Sequence, residues 1–278
     1  MKISIVTISF NQCSYLKRAI DSVLREKADG LDIEYIVVDP GSTDGSRALI
    51  ESYGDQIVKV FKPDDGPADG LNNGFSVATG DVYGYINADD AYLPGAVSEA
   101  VKIMAKRTDL DVIYGNSYIV DAAGKGVKRF SSNQFNLKRF AFGGVVICQQ
   151  STFFRSEFFK KIKGFNSNNF TSWDAELVID MAIAGAKVKW INRYWAIFAI
   201  YDGTITGSQR MAKLSVVNRS RVFKKIMGRD SKEFDVLNRI GSKLIKWTFN
   251  PVSLLIPVFV KLGIERHFVS KINYKLKG

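Results

Sequence analysis

Apolar runs of strand length alternate with amphipathic segments through residues 1–114, and this alternation limits the possible folds more than any other feature. Strands with continuously apolar interiors, separated by helices of roughly ten residues, are typical of βαβ units in a mainly parallel sheet. Residues 1–115 are therefore predicted to form an α/β, Rossmann-like, nucleotide-binding half. The predicted strands are Ile3–Ser9, Tyr35–Asp39, Ile57–Phe61, Val82–Ile86 and Val112–Tyr114. The predicted helices are Tyr15–Leu24, Ser46–Tyr53, Asp69–Ala78 and Pro94–Lys106.

The alternation changes after Gly115, where Ser117–Val120 and Val127–Phe130 flank a glycine-containing turn and predict a hairpin. Residues 116–206 are predicted to form a mixed α+β half on the same sheet, shaping a second binding site. Further helices are predicted at 135–142, 156–162 and 173–184, and further strands at 150–154, 188–191 and 195–201.

The net charge of +11 is located almost entirely after residue 206. Residues 207–278 contain 16 Lys and Arg against 4 Asp and Glu, a net +12, whereas residues 1–206 contain 23 against 24, a net −1. No nucleic-acid-binding module accompanies these basic residues, so no nucleic-acid partner is expected. The tail interleaves its charge with the apolar runs Leu244–Phe249 and Val252–Val260, a mixture that favours an anionic membrane surface.

From Ser208 onward the sequence predicts only helices, with interruptions at Gly228, Asn250–Pro251, Pro257 and Gly263. Its most apolar run is far shorter than the roughly 20 residues that span a bilayer. We therefore expect residues 207–278 to form a helical, basic, amphipathic extension that lies on a membrane. The alternative is that these helices pack against the preceding domain.

Cysteine and histidine content limits the compartment and the metal chemistry. Cys13 and Cys148 have no metal-ligand spacing and are too few for a disulfide framework, which indicates a reducing setting. The single His267 excludes a site built from several histidines. Lys2–Ser9 is too short for a signal-peptide core and continues as a strand. The expected location is cytoplasmic, peripheral on the inner face of the cell membrane.

Polar residues follow the apolar run Val82–Ile86: Asn87 directly, and then the two acidic residues Asp89 and Asp90. Ligands of open α/β sheets bind at the carboxyl edge of the strands, and carboxylates are hard ligands for divalent cations. A metal held there would clamp a diphosphate, and Pro94 is predicted in the first turn of the next helix. The alternative is a solvated turn that leads into a capped helix.

Two other strands also end in ligand-binding residue types. Thr7, Phe10 and Asn11 stand at the end of the first strand, where an aromatic ring and an amide suit a base. The second strand ends in Asp39, whose carboxylate can accept hydrogen bonds from a pyrimidine N–H or a ribose hydroxyl, and Gly41 lets the backbone approach a ligand.

The order and spacing of four motifs resemble family 2 of the inverting nucleotide-sugar glycosyltransferases, which have the GT-A fold. The motifs are Phe-Asn after the first strand, Asp-x-Gly-Ser-Thr-Asp-Gly-Ser, Asp-Gly-x-x-Asp, and Ala-Thr-Gly-Asp with Asn-Ala-Asp-Asp. The resemblance covers residues 3 to about 206. It implies an α/β fold: a mixed, mainly parallel sheet flanked by helices, which would make residues 1–206 one catalytic domain.

The resemblance also implies roles for single residues. Asp39 would contact the base, Asp69 would help to hold the nucleoside or the donor, and Asp89 with Asp90 would hold ribose and a Mg²⁺ or Mn²⁺ that bridges the diphosphate. The implied nucleotide-sugar-binding residues are Thr7, Phe10, Asn11, Asp39, Gly41, Asp69, Asn73, Asn87 and Asp89.

The general base of the family lies at a helix start with an acidic pair, and Trp173-Asp174-Ala175-Glu176-Leu177 matches that pattern. Asp174 would take the proton from an acceptor hydroxyl. The alternative is that Thr171-x-x-Asp174 forms a capping box. Three positions depart from the family: Asp180 replaces an Arg, Tyr201 a His, and Asn73 a frequent Lys, which implies fewer cationic contacts to the diphosphate.

The resemblance implies a hexosyltransferase-type enzyme that moves a sugar from a nucleoside-diphosphate sugar, with UDP-sugars favoured. The acceptor would be a glycan or lipid-linked hydroxyl in cell-surface polysaccharide biosynthesis. A second hypothesis is a catalytically weakened, membrane-associated nucleotide-sugar-binding subunit. A dinucleotide-dependent dehydrogenase fits the alternation but lacks a Gly-x-Gly-x-x-Gly after the first strand.

Overall fold

A computed structural model of the protein describes residues 1–28, 30–121, 124–201, 211–233, 235–249, 252–262, 265 and 269. Across these residues a nine-stranded sheet lies between two layers of helices. The strands are β1 (Ile3–Ile8), β2 (Ile33–Val38), β3 (Val58–Val60), β4 (Val82–Asn87), β5 (Ala91–Tyr92), β6 (Val112–Val120), β7 (Gly126–Phe130), β8 (Thr152–Arg155) and β9 (Val188–Ala199). The helices are α1 (Cys13–Ala28), α2 (Ser46–Ser52), α3 (Pro67–Phe75), α4 (Ala96–Lys106), α5 (Leu137–Ala141), α6 (Ser156–Lys161), α7 (Trp173–Ile183), α8 (Ala212–Met227), α9 (Asp235–Phe249) and α10 (Val252–Lys261).

The strands run in the spatial order β3-β2-β1-β4-β8-β6-β9-β5, and β7 pairs with β6. β1 to β4 are mutually parallel, β8 is antiparallel to both of its neighbours, and β9 is parallel to β6. The predicted mixed, mainly parallel sheet flanked by helices is thereby confirmed for the part of the chain that the structure describes.

The register brings the ends of β1, β2 and β4 together. Ile8 is paired with Val38 on one side and with Asn87 on the other. The residues that follow each strand therefore start from the same edge of the sheet. This alignment explains why three motifs far apart in sequence meet at one place.

Both faces of the sheet are buried, as a parallel sheet with crossover helices requires. Ile5 on β1 packs into a cluster with Leu16 and Ile20 of α1, whereas its neighbour Val6 packs into a second cluster with Phe75 of α3 and Leu177 of α7. Successive side chains of a strand point to opposite faces, so continuous apolar runs fill two cores.

The segment after Asp90 differs from its prediction. It forms the short strand β5, which pairs with β9, and Leu93 N donates a hydrogen bond to Trp195 O (2.8 Å). The chain is therefore still extended at Leu93, and α4 begins only at Ala96, after Gly95 with φ 78°. The prediction that Pro94 lies in the first turn of the helix is wrong.

Three other boundaries also differ. β6 runs unbroken through Gly115 to Val120, and the two predicted late strands form the single strand β9. Helix α10 continues through Pro257, so the predicted interruption there is wrong, whereas α8 does stop at Gly228, which has φ 68°. Two other predicted interruptions, at Asn250–Pro251 and at Gly263, lie outside the described residues.

The helices that follow residue 211 are amphipathic and contact the sheet domain in places. α8 packs against α5, and Arg129 of β7 pairs with the buried Glu265 (Nη2–Oε1 2.6 Å). Where the chain is described, no helix combines the length and the apolar character needed to cross a membrane.

Candidate active site

A cleft of ≈ 830 Å³ opens at the edge of the sheet where β1 and β4 end. Six of the predicted site residues line it: Phe10, Asn11, Asn87, Asp89, Asp90 and Asp174. β9 and the turn before β8 complete its floor, and the start of α7 forms one wall. Residues separated by up to 164 positions in the sequence are thus brought to one cavity.

The loop that follows β1 is shaped by Asn11, which has φ 52°. Asn is one of the few residues that tolerate this left-handed conformation. The backbone N–H of Asn11 donates to Ser42 Oγ (2.9 Å), and the side-chain Oδ1 of Asn11 accepts from Thr43 N (2.9 Å). These two hydrogen bonds hold the loops after β1 and β2 together. Phe10, beside it, exposes 60% of its surface at the mouth of the cleft.

Asp39 lies in the loop after β2, beside the cleft and not in its lining. Its Oδ1 accepts hydrogen bonds from Gly41 N (2.9 Å) and Ser42 N (2.8 Å), which fixes the carboxylate. Its Oδ2 is buried and accepts no hydrogen bond from the residues that the structure describes. A buried acceptor without a partner is destabilising, so Asp39 Oδ2 is suited to a ligand N–H or O–H.

Three predicted ligand residues lie elsewhere. Thr7 is fully buried inside β1, because that strand continues to Ile8, and its hydroxyl is hydrogen-bonded to Tyr35 (3.0 Å). Asn73 is buried in α3, where its Oδ1 accepts from Lys62 (2.6 Å), and Asp69 accepts from the Asp65 amide (3.2 Å). The structure does not bring these three side chains into the cleft.

Asp89 and Asp90 are both buried, but they differ in their hydrogen bonds. Asp90 Oδ1 accepts from Ala199 N (3.0 Å), and its Oδ2 accepts from Gln150 Nε2 (3.0 Å) and Asn87 Nδ2 (3.3 Å). Asp89 Oδ2 accepts from the Tyr201 hydroxyl (3.2 Å), and its backbone carbonyl from Arg18. Asp90 is therefore the internally satisfied carboxylate, and Asp89 is the one more open to a ligand.

The chemistry of this pair suits a divalent cation. Burial raises the pKa of both carboxyls, and the neighbouring Asp89 charge raises the pKa of Asp90 further, an arrangement that a bound cation would relieve. Within the described residues no three His, Cys, Asp or Glu side chains converge. A Mg²⁺ or Mn²⁺ here would need oxygens from a substrate, which is how Mg²⁺ is commonly bound with phosphates. The residues present therefore fit a metal that arrives with a diphosphate.

Asp174 stands in the first turn of α7 and faces the cleft. Burial raises the pKa of its carboxyl, and the Ala175 amide partly offsets that rise. The helix begins at Trp173 with Ser172 as its N-cap, and no side-chain hydrogen bond caps it. Thr171 instead accepts from Asn218 Nδ2 (2.9 Å), so the alternative capping box does not form.

Glu176 points away from the cleft and joins α7 to α8. Arg221 grips it with two hydrogen bonds of 2.6 Å, and Lys225 lies 3.2 Å from it. Burial acts to raise the pKa of Glu176, but hydrogen bonds from Arg221 and Asn169 outweigh it and lower the pKa to about 2. Lys225 also pairs with Asp180, so the acid at this position has its own cation.

Sequence analysis missed several side chains of the cleft. Tyr15 stacks on Tyr201 with ring centroids 5.1 Å apart, and both line the cavity. Gln149 and Gln150 contact Asn87 and Asp90 from a 3₁₀ turn, Gln149–Ser151. The sequence offered one signal for these two residues, a pair of amide side chains directly before an apolar strand. The predicted strand 150–154 included Gln150, so the pair was not recognised as part of the site.

The far side of the cleft is formed by the sheet of the second half. Ile119 of β6 is paired with both Lys128 of β7 and Phe198 of β9, so these three form one row across a single face. Phe130 meets Phe198 edge to face at 6.0 Å. Among the described residues that line the cleft, Lys128 is the only Lys or Arg.

Comparison with known proteins agrees with this geometry. The family model described as "Glycosyl transferase family 2" matches residues 4–163. An uncharacterized glycosyltransferase of Nostoc sp. is 37% identical over 133 residues, which cover 44% of this chain and 41% of that protein. The chain thus matches less than half of that relative's length.

Two solved structures share the fold at low identity. S. aureus TarS 1-349 in complex with UDP-GlcNAc has a TM-score of 0.61 at 13% identity, covering 98% of this chain and 90% of that chain. The mannosyltransferase PcManGT from Pyrobaculum calidifontis, in complex with GDP-Man and Mn²⁺, has a TM-score of 0.61 at 15% identity, covering 94% and 74%. The family match spans more than half of the chain and agrees with a cleft that is lined by residues of the first and the last of the four motifs. The chain belongs to glycosyltransferase family 2 and has the GT-A fold.

Proposed function

We propose that the protein is an inverting glycosyltransferase that moves a sugar from a nucleoside-diphosphate sugar to a hydroxyl of a glycan or lipid-linked acceptor. The observation that carries the proposal is that Asp89 and Asp174 line one cleft from different elements. One carboxylate stands where a diphosphate can be held, and the other where an acceptor can be deprotonated. UDP-sugars are the favoured donors.

The nucleoside end would be held by the loops after β1 and β2. Phe10 offers an exposed ring for stacking on the base, and Asp39 Oδ2 offers an acceptor for a base N–H or a ribose hydroxyl. Asn11 holds the two loops in register.

Asp89 would be the principal protein ligand of a Mg²⁺ or Mn²⁺ that neutralises charge on the departing diphosphate. Asp90 would act mainly by fixing this loop, because Ala199, Gln150 and Asn87 already occupy both of its oxygens. The Mn²⁺ complex of PcManGT, a protein with the same fold, supports a divalent metal.

Asp174 would act as the general base. A carboxylate with a raised pKa is a stronger base than an ordinary Asp. It would take the proton from the acceptor hydroxyl while that oxygen attacks the anomeric carbon from the side opposite the diphosphate. Attack from that side inverts the configuration.

Calorimetric titration with UDP, GDP, dTDP and NAD, each with and without Mn²⁺, tests the donor site. We expect one nucleoside diphosphate to bind with micromolar affinity in the presence of Mn²⁺ and much more weakly without it, because the metal neutralises the carboxylate–phosphate repulsion. NAD is the control for a general dinucleotide site. Absence of binding by every nucleoside diphosphate would remove the proposal.

A catalytically weakened nucleotide-sugar-binding subunit is the second candidate. The observation that favours it is Tyr201, which occupies the position of a family His and directs its hydroxyl at Asp89 Oδ2. Metal-dependent nucleotide binding without any turnover would favour this candidate. Sugar transfer or donor hydrolysis would exclude it.

We also propose that the tail attaches the protein to an anionic membrane surface on the cytoplasmic side. Four apolar side chains of α9 lie on one side of the helix and are more than half exposed, and basic residues flank them. The apolar residues are Val236, Leu237, Ile240 and Leu244, and the basic residues are Arg239 and Lys243. Apolar insertion combined with charge attraction is the usual basis of such binding.

Vesicle sedimentation tests this attachment with the full chain. We expect binding to vesicles that contain anionic lipid, weaker binding as salt rises because charges are screened, and a loss of about 3-fold or more for Leu237→Asp. Val77→Asp is the matched control, because Val77 is also exposed but lies on the sheet domain. Equal sedimentation of both variants and wild type would contradict the proposal.

A further inference from the structure

Gln149 lines the cleft and carries a buried hydrogen-bond donor. It lies in the turn Gln149–Ser151, directly before β8, and only 7% of its surface is exposed. Its Nε2 has no hydrogen-bond partner among the residues that the structure describes. Because an unsatisfied buried N–H is destabilising, a retained one calls for a partner that arrives with a ligand.

The direction of this amide follows from its neighbours. A carboxylate accepts only, so Asp90 Oδ2 must receive the Nδ2 group of Asn87 (3.3 Å). The same Nδ2 group lies 3.3 Å from the Gln149 side chain, which must therefore offer its oxygen. Asp90 is itself fixed by a hydrogen bond from Ala199 N. The backbone therefore orients Asp90, Asp90 orients the Asn87 amide, and Asn87 orients the Gln149 amide. The Nε2 group of Gln149 is left at the end of this series of hydrogen bonds, and it is a donor without a partner among the described residues.

The position of Gln149 along the sheet edge indicates what it meets. β8 is antiparallel to β4, so the start of β8 lies beside the end of β4. Across the edge the order is Asp39 after β2, Phe10 after β1, Asp89 after β4 and Gln149 before β8. Neighbouring strands are about 4.8 Å apart, so this row has the length of an extended nucleotide sugar. The order base, diphosphate, sugar then assigns the sugar to Gln149.

We propose that Gln149 Nε2 donates a hydrogen bond to a hydroxyl oxygen of the sugar that is transferred, and that it is a donor-sugar specificity residue. The proposal rests on the donor site proposed above. It assigns a task to a residue that takes part in neither metal binding nor proton transfer. For this hydrogen bond Asn87 and Asp90 act as positioning residues, because they orient the Gln149 side chain.

Two substitutions separate the possible partners of this amide. Gln149→Met keeps the length of the side chain and removes the donor. Gln149→Glu keeps an oxygen for Asn87 and replaces the donor with a carboxylate oxygen, which can still accept from a sugar hydroxyl but repels a phosphate. Gln134→Met is the matched control, because Gln134 is a half-buried glutamine outside the cleft.

The probes are two pairs with Mn²⁺, UDP-GlcNAc with UDP and GDP-mannose with GDP, measured by calorimetry on the full chain. We expect Gln149→Met to weaken nucleotide-sugar binding about 3- to 10-fold and to leave binding of the matching diphosphate unchanged. Gln149→Glu should bind the diphosphate like wild type, and Gln134→Met should bind both ligands like wild type.

Three results would overturn the proposal. An equal loss for nucleotide sugar and diphosphate in both Gln149 variants would place the amide on the phosphates or in the fold. Unchanged binding of the nucleotide sugar by Gln149→Met would mean that the amide meets no sugar. If wild type bound neither pair, the proposed donor site would fail first, and the role of Gln149 would fall with it. Thermal unfolding of each variant identifies a loss that comes from misfolding.

Discussion

Replacing Asp174 with Asn is expected to lower kcat for sugar transfer by about 100- to 10 000-fold, because the acceptor hydroxyl then loses its general base. Donor affinity should change little, since in the proposed function the donor would be held by the ends of β1, β2 and β4. A residual rate would come from the positioning of the two substrates. Steady-state kinetics and calorimetry with the same donor measure both quantities.

Asp180→Asn is the matched control for this variant. It makes the same chemical change in the same helix, but Asp180 pairs with Lys225 instead of facing the cleft. We expect it to leave kcat within about 3-fold of wild type, because removing a partly exposed ion pair acts mainly on stability. If both variants lost activity equally, the carboxylate of Asp174 would not be the base.

The pH profile gives a second readout of the same group. A general base works when it is deprotonated, so activity should rise with pH through its pKa. Burial raises the pKa of Asp174, and the acid limb of kcat/KM should therefore lie above the ordinary Asp value of 3.8. The limb should disappear from the residual activity of Asp174→Asn.

Asp89→Asn is expected to weaken Mn²⁺-dependent binding of the nucleoside diphosphate by about 100-fold or more, since a direct ligand matters more than its hydrogen-bonded neighbours. Binding without metal should change much less, because Asn keeps the size of the side chain. Calorimetry with and without Mn²⁺ separates the two effects.

Two further variants, Asp90→Asn and Asp81→Asn, serve as comparisons for Asp89→Asn. Asp90→Asn should reduce thermal stability as well as binding, because both of its oxygens hold the loop. Asp81→Asn is the control, since Asp81 lies at the opposite end of β4, where it accepts from Lys2 N (2.9 Å). Full metal-dependent binding by Asp89→Asn would remove Asp89 from the metal site.

The sequence was most informative where a motif directly follows a strand. Asn87 and Asp89 follow a run that the sequence predicts as a buried strand, so the edge of the sheet at which they lie could be predicted. The position of Asp174 near the start of a helix could also be predicted from the sequence, whereas its role as general base was implied only by the family resemblance. These signals are local, and the position of each residue depends on its own element.

Other features depend on contacts between distant segments and could not be predicted. β5 exists because β9 is available to pair with it. The orientation of Gln149 depends on Asn87 and Asp90, which lie about sixty positions earlier. Neither the spacing of apolar residues nor the residue types at turns indicates which distant segments pair.

The ion pair between Arg221 and Glu176 limits how far this chain can be shortened. The family match ends at residue 163, and the resemblance in sequence ends near 206, so a cut after 206 would look harmless. Such a cut would leave Glu176 buried without its cations, and breaking a buried pair in this way typically costs about 3–5 kcal/mol. The smallest unit that keeps α7 in place therefore extends through α8, to Gly228.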